Sequence, residues 1–184
     1  MEEIENISIE KYLKNIGFDY EEINMILEYA NSEIDKKILH EKIKYLIFLG
    51  LEARQIRIIL EEDPTFLTEE FKQIKTNCET LKKYLDKEEL INTLETTPEL
   101  LTMKKDDLKR NINLLEIITK NEEVLKVIIQ DKGEILTYKP DYLSDKFTFL
   151  INNGLKESLL KIIIENIEIF ELSNSEINID ELRI

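Results

Sequence analysis

The chain has 184 residues, of which 42% are hydrophobic and 35% are charged, and its net charge is −14 at pH 7. This composition excludes an intrinsically disordered chain, which would be less hydrophobic, and a membrane-spanning protein, which would be less charged. The single cysteine, Cys78, leaves no internal disulfide, and the acidic start is unlike a secretory signal, so we expect a soluble, cytoplasmic protein with one domain over residues 1–184.

The negative charge is concentrated at the two ends of the chain. Residues 1–35 contain ten acidic and two basic residues, and residues 165–184 contain six acidic residues and one arginine. The central residues 36–164 contain 23 acidic and 22 basic residues, so their net charge is −1. The overall acidity therefore does not by itself exclude nucleic acid as a partner of the central region.

The sequence repeats itself about every 34 residues. Pro64 and Pro98 are 34 residues apart, and Gly133 takes the same position 35 residues later. A repeat of this length is typical of stacked helical units that bury their apolar faces against one another. We place five repeats at residues 12–44, 45–80, 81–114, 115–149 and 150–173, with a tail at 174–184.

Each repeat begins with a first helix that follows a Gly or Asp/Asn turn. Gly50 and Gly154 lie where a helix must end in a left-handed residue, which glycine adopts without steric cost. Apolar residues at helical spacing predict these first helices at Tyr20–Asn31, Glu52–Glu62, Lys87–Thr96, Asn121–Asp131 and Leu155–Asn166.

A short apolar segment and a longer second helix complete each repeat. Thr68 and Thr102 follow such segments and are predicted to cap, or nearly cap, the next helix. No stretch shows the sustained alternation of a strand. The second helix is clearest where apolar residues step by 3, 4, 3 and 4 positions, at Phe71, Ile74, Cys78, Leu81 and Leu85.

These features predict an all-α fold, a curved stack or solenoid of about five helix-pair repeats. The pattern Leu-x-x-x-Gly, a helix with Ile/Leu pairs, and Pro-x-Phe/Leu-Leu before a longer helix resembles the mTERF repeat of mitochondrial transcription termination factors. The resemblance implies a curved helical stack that binds nucleic acid along a basic concave face. The matching residues are Leu46, Gly50, Ile56, Ile59, Pro64, Phe66 and Leu67 in one copy, and Leu81, Leu90, Leu94, Pro98, Leu100 and Leu101 in the next.

The sequence contains no recognisable catalytic, cofactor-binding or metal-binding motif. His40 is the only histidine and has no second ligand at metal-binding spacing, and Cys78 lies in an apolar stripe, as a buried structural thiol would. Acidic doublets such as Glu88-Glu89 fall in the first turn of first helices, where they complement the helix dipole. We therefore expect a protein that is not an enzyme and that uses no cofactor, metal or small-molecule substrate.

Basic residues concentrate on or beside the predicted second helices. Stacked repeats would bring them into adjacent rows, either as a stripe that contacts phosphates or as an ordinary solvated face of mixed charge. The candidate residues for binding a macromolecule are Lys72, Lys75, Lys82, Lys83, Lys104, Lys105, Lys109, Arg110, Lys139 and Lys146.

Two functions of different kinds are consistent with these patterns. The first is a protein-interaction or regulatory scaffold, since helical stacks expose extended surfaces and the acidic ends favour a basic partner. The second is mTERF-like binding of double-stranded nucleic acid through the lysines of the second helices. From the sequence a protein partner is preferred over nucleic acid, and a membrane is not expected.

Overall fold

The computed structural model describes residues 7–29 and 33–182, with the side chains of residues 33 and 34 left aside. The predicted end of the first helix at Asn31 and the acidic residues before residue 7 lie outside this part. Over the described residues the fold contains helices, turns and no strand, as predicted. The α-helices are α1 Ile9–Asn15, α2 Tyr20–Tyr29, α3 Glu33–Leu49, α4 Ala53–Glu62, α5 Thr65–Thr68, α6 Phe71–Leu81, α7 Lys87–Thr96, α8 Lys105–Thr119, α9 Glu122–Asp131, α10 Pro140–Asn152 and α11 Leu159–Glu165.

The helices form two layers. First helices pack on first helices, α4 against α7 and α7 against α9, and second helices pack on second helices, α6 against α8 and α8 against α10. A short helix joins the layers within each unit: α5 in one, and 3₁₀ helices at Pro98–Leu101, Gly133–Thr137 and Ile167–Phe170 in the next three. This is the stacked helix-pair architecture that the repeat predicts.

One continuous hydrophobic core runs through the stack. Ile74, Cys78 and Leu81, which belong to the predicted apolar stripe, are fully buried on α6. Apolar contacts continue beyond the last repeat, because Ile179 and Leu182 pack against the core and Ile177 is buried as well. The described part of the tail therefore covers the apolar face that the final unit would otherwise expose.

The corners of the stack follow the predicted turn residues. Gly50 ends α3 with φ +105° and Gly154 ends α10 with φ +83°, the left-handed conformation expected of both. Pro98 and Gly133 each begin a 3₁₀ helix, and Pro64 immediately precedes α5. Proline fits there because its missing N–H has no partner in the first turn of a helix.

The prediction that Thr68 and Thr102 cap, or nearly cap, the second helices is wrong as to the cap itself, because both lie two residues before it. The residues at these caps are Glu70 before α6 and Lys104 before α8, and neither side chain accepts a capping hydrogen bond. Thr68 instead ends α5, and Thr102 directly follows a 3₁₀ helix and donates to Asp63 Oδ2 (2.7 Å). Two further residues lie between each threonine and the next helix, so neither hydroxyl caps the N–H groups at the start of that helix.

Candidate macromolecule-binding site

The basic candidates lie on the second-helix layer, and nine of the ten are exposed. Lys104 and Lys139 occupy equivalent positions immediately before α8 and α10. Lys75 and Lys109 also correspond, 34 residues apart on the packed helices α6 and α8. The fold therefore places these two pairs in neighbouring rows of one layer.

Lys146 does not belong to this exposed set, and its place among the surface candidates is corrected. Its side chain is only 2% exposed, and its Nζ donates a hydrogen bond to the carbonyl oxygen of Leu172. The ammonium also lies 5.3 Å from the centre of the Tyr142 ring. Lys146 is buried because the segment after the last 3₁₀ helix covers it, a contact that local sequence does not reveal.

Most of the exposed candidates have no acidic partner. Lys82 pairs with Glu79 (2.8 Å), and Arg110 pairs with Asp141 across neighbouring units (2.5 Å). Lys75 lies over the ring of Phe71, with Nζ 3.9 Å from the ring centre. Among the described residues, no ion pair involves Lys72, Lys75, Lys83, Lys104, Lys105, Lys109 or Lys139.

In the first-helix layer, some basic residues form ion pairs with acidic residues of the neighbouring unit. Arg54 of α4 pairs with Glu95 of α7 at 2.9 Å, and Lys126 of α9 pairs with Glu89 of α7 at 2.8 Å. Each pair joins two neighbouring units, so part of the positive charge of this layer is used within the fold. The unpaired lysines of the second-helix layer are instead available to an external anion.

Acidic residues interrupt the basic surface toward the end of the stack. The position of Lys72 on α6 corresponds to Asp106 on α8 and Asp141 on α10. Asp107 and Asp145 also lie on these two helices. The structure therefore concentrates the unpaired lysines on and just after α6 and around the first turns of α8, with Lys139 as an outlying member.

Sequence reasoning missed a set of buried polar residues that join the units. Lys42, Asn77, Asn111 and Lys146 are at most 2% exposed, and they follow one another by 35, 34 and 35 residues. We call them the joint residues. Their regular spacing within apolar second helices was the available signal, but the change of residue type between lysine and asparagine conceals it.

Each joint residue donates to backbone carbonyls at or just after the end of the short helix in the next unit. Such carbonyls have no partner within their own helix, and burying them unpaired is costly. The bonds run from Lys42 Nζ to Phe66 (2.8 Å) and Leu67 (3.0 Å), from Asn77 Nδ2 to Leu100 (3.0 Å), Leu101 (3.2 Å) and Met103 (2.7 Å), from Asn111 Nδ2 to Leu136 (2.8 Å) and Tyr138 (2.7 Å), and from Lys146 Nζ to Leu172.

The residues considered for chemistry give no reactive centre in the described part of the chain. Cys78 is fully buried, and burial raises the pKa of its thiol to about 12, so it stays protonated at neutral pH. No group of three or more His, Cys, Asp or Glu side chains is arranged to hold a metal ion among these residues. Glu88 and Glu89 lie in the first turn of α7, as their helix-dipole interpretation predicts.

Comparison with known proteins supports the interpretation of the repeat. A protein-family model described as mTERF matches residues 26–177, which is most of the chain, while no curated protein matches it. Within residues 7–29 and 33–182, no helix is both long and apolar enough to cross a membrane. The two-layered stack, the repeat near 34 residues and the extent of the match lead to one conclusion: this chain belongs to the mTERF family.

Proposed function

We propose that this protein is a non-enzymatic regulatory module that binds double-stranded nucleic acid through the second-helix layer. The proposal rests on one observation above all: exposed lysines without acidic partners are concentrated there. Membership of the mTERF family, whose members are helical-repeat nucleic-acid-binding or regulatory proteins, supports it. The family match gives no support to the preference for a protein partner that the acidic composition suggested, so we place nucleic acid first.

The expected binding is electrostatic and depends steeply on salt. A lysine that contacts a phosphate releases a condensed counterion, so affinity falls as salt concentration rises. Arg110 is already paired with Asp141, and Asp106 and Asp107 directly follow Lys105, so phosphate contacts are few. We therefore expect micromolar rather than nanomolar binding to an arbitrary duplex at low salt.

The test measures binding of a labelled 20-base-pair duplex by fluorescence anisotropy between about 50 and 200 mM salt. In the double variant Lys105→Gln/Lys109→Gln, we expect about tenfold weaker binding at low salt and a salt slope smaller by about 2, because each lysine contributes one phosphate contact. The matched control is Lys87→Gln/Lys156→Gln, which removes two exposed lysines beside the starts of first helices.

Two outcomes would overturn the proposal. One is the absence of any binding by the natural chain at micromolar concentration and 50 mM salt. The other is an equal loss of affinity in both double variants, because a general change in net charge would then account for the binding without a specific surface.

A further inference from the structure

A small acidic pocket lies at the corner where the second helix α8 turns into the first helix α9. Its volume is about 370 Å³, and Tyr84, Glu116, Thr119, Lys120 and Glu122 line it. The Tyr84 hydroxyl donates to Glu116 Oε1 at 2.9 Å. Among the described residues neither Glu116 nor Glu122 forms an ion pair, so both carboxylates remain open to a cation.

Thr119 gives this pocket an unused hydrogen-bonding group. Its side chain is only 7% exposed, and its hydroxyl has no hydrogen-bond partner within the described chain. A buried hydroxyl without a partner is unfavourable, so a ligand that donates to it gains an interaction that the free protein lacks.

The electrostatics of the corner are negative on balance. The pKa of Tyr84 is raised to about 12 by burial, by its hydrogen bond to Glu116 and by the negative charge of Glu116 and Glu122. The charges of Glu116 and Glu122 are therefore both close enough to Tyr84 to affect its pKa. Lys120 is the one cation among the lining residues, and it offsets part of their charge.

Helix stability does not explain both carboxylates. Glu122 lies in the first turn of α9, where a negative charge complements the helix dipole. Glu116 lies in the last turn of α8, where the same dipole disfavours a negative charge. Glu116 is instead held by a contact outside its own helix, the hydrogen bond that it accepts from Tyr84 of the preceding unit.

The equivalent corner one unit earlier has the opposite charge. It is also a pocket of about 370 Å³, and its charged lining residues are Lys82, Lys87 and Asp86, which leave it positive on balance. These lysines precede Glu116 and Glu122 by 34 and 35 residues. Because the two corners share their architecture and differ in sign, the acidity of the α8–α9 corner is a property of that corner and is not imposed by the fold.

We propose that the α8–α9 corner binds the guanidinium group of an arginine side chain from a partner protein. A guanidinium offers five donors in a plane, enough for Glu116, Glu122 and the Thr119 hydroxyl together, and it stacks on an aromatic ring such as that of Tyr84. An ammonium is a compact charge that lacks both the planar fork and the stacking. This surface lies at the opposite end of the second helices from Lys104 and Lys105, so the variant Lys105→Gln/Lys109→Gln tests the nucleic-acid proposal without altering the corner.

The experiment is a titration of the ¹⁵N-labelled protein with blocked arginine, N-acetyl-arginine amide, followed by NMR. We expect shifts confined to amides around 84 and 116–125, with affinity at least about fivefold higher than for the uncharged citrulline analogue, since the charge-assisted bonds are lost in the latter. N-acetyl-lysine amide is expected to bind more weakly than arginine at the same corner.

Variants separate binding from folding. Glu116→Gln keeps an acceptor for Tyr84 but removes the charge, and Thr119→Val removes only the unused hydroxyl; both are expected to weaken arginine binding at least about threefold without loss of stability. Lys82→Gln, at the equivalent basic corner, is the control and is expected to leave arginine binding unchanged.

Three results would overturn the assignment. They are shifts scattered over the acidic surface, equal binding of arginine and citrulline compounds, and unchanged binding in Glu116→Gln. Free L-arginine serves as a further arm: if it binds at least about tenfold more tightly than the blocked form, the ligand is the amino acid itself, and the assignment to a partner's side chain is wrong.

Discussion

The joints near the ends of the stack differ from those in its middle. The outer joints use lysine, Lys42 and Lys146, and their second helices end at the left-handed glycines Gly50 and Gly154. The inner joints use asparagine, Asn77 and Asn111, and their second helices end without glycine. The repeat therefore preserves the task of a joint residue, which is to donate to buried carbonyls, while the chemistry that performs it changes along the chain.

The difference has energetic consequences, because an amide and an ammonium are not equivalent when buried. The two N–H groups of Asn77 are shared among three carbonyl oxygens, at no cost in buried charge. Lys42 supplies donors to two carbonyls, but its ammonium loses much of its hydration on burial. This loss lowers the pKa of the ammonium to about 8. The inner joints are thus expected to be the stronger and the outer joints the more sensitive to pH.

The largest expected effect comes from removing an inner joint. Asn77→Ala leaves the carbonyls of Leu100, Leu101 and Met103 without their side-chain donor inside the core. We expect the free energy of unfolding to fall by about 3 kcal/mol, the range for a buried network that loses one member. Urea denaturation followed by circular dichroism measures this change.

Asn111→Ala provides the graded comparison. Asn111 donates to two carbonyls, and its own Oδ1 already lacks a partner in the described structure, so less is lost. We expect a loss of about 2 kcal/mol. A loss below about 0.5 kcal/mol in both variants would show that the inner joints do not hold the units together.

The outer joint at Lys42 is expected to make the free energy of unfolding depend on pH. The pKa of Lys42 is lowered by burial from its ordinary 10.5 to about 8, while the nearby charge of Glu69 opposes the shift. Between these two values the unfolded chain binds more protons than the folded chain, so this residue makes the free energy of unfolding rise with pH from about 8 upward. Its neutral amine still has two N–H groups for Phe66 and Leu67.

The variant Lys42→Met removes this dependence. The stability difference between the natural chain and the variant is expected to grow by about 1 kcal/mol between pH 7.5 and 9, measured by urea denaturation at each pH. Burial raises the pKa of Cys78 from 9.0 to about 12 and acts in the opposite direction above pH 9, but it cancels in the difference. Asn77→Ala serves as the control, and a pH-independent difference for both variants would refute the assignment.

The sequence predicts the local parts of this structure well. It places α7 at Lys87–Thr96 with its observed bounds, and α9 begins one residue after the predicted Asn121. Both starts depend on a capping side chain that acts within three residues, Asp86 on Glu89 and Asn121 on Val124. Signals of this range can be read from a single sequence.

Features that depend on stacking are not predicted. Lys42 and Lys146 lie in charge-rich stretches and resemble surface lysines until the neighbouring unit covers them. The unpaired state of the candidate lysines is likewise not local, because Arg54 finds its acidic partner Glu95 a full unit away. The sequence thus predicted which helices carry the candidate lysines. It did not predict which of these lysines are buried or form ion pairs.

Substitutions at the glycines of the outer joints are expected to have smaller effects than the loss of Asn77. Gly50→Ala places a Cβ in a left-handed residue and against the side chain of Lys87, whereas at Gly154 no atom lies within 4 Å of the added Cβ. We expect losses of about 2 kcal/mol and about 1 kcal/mol respectively, because the left-handed conformation alone costs 1–2 kcal/mol for a residue with a side chain. Thermal unfolding measures both, and equal losses would mean that the contact with Lys87 is relieved freely.

The smallest expected effect is a gain in stability at an inner joint. Lys120, which follows α8, is the non-glycine residue with positive φ in the described chain, at φ 51° and ψ 19°. Lys120→Gly removes this strain but increases the entropy of the unfolded chain, so we expect a net gain of about 0.5–1 kcal/mol. Lys120→Ala removes the same charge without relieving the backbone and is expected to show no such gain. If both variants stabilise the protein equally, the cause is the lost charge of Lys120. The left-handed conformation would then cost little at this inner corner, although it is occupied by a residue with a side chain.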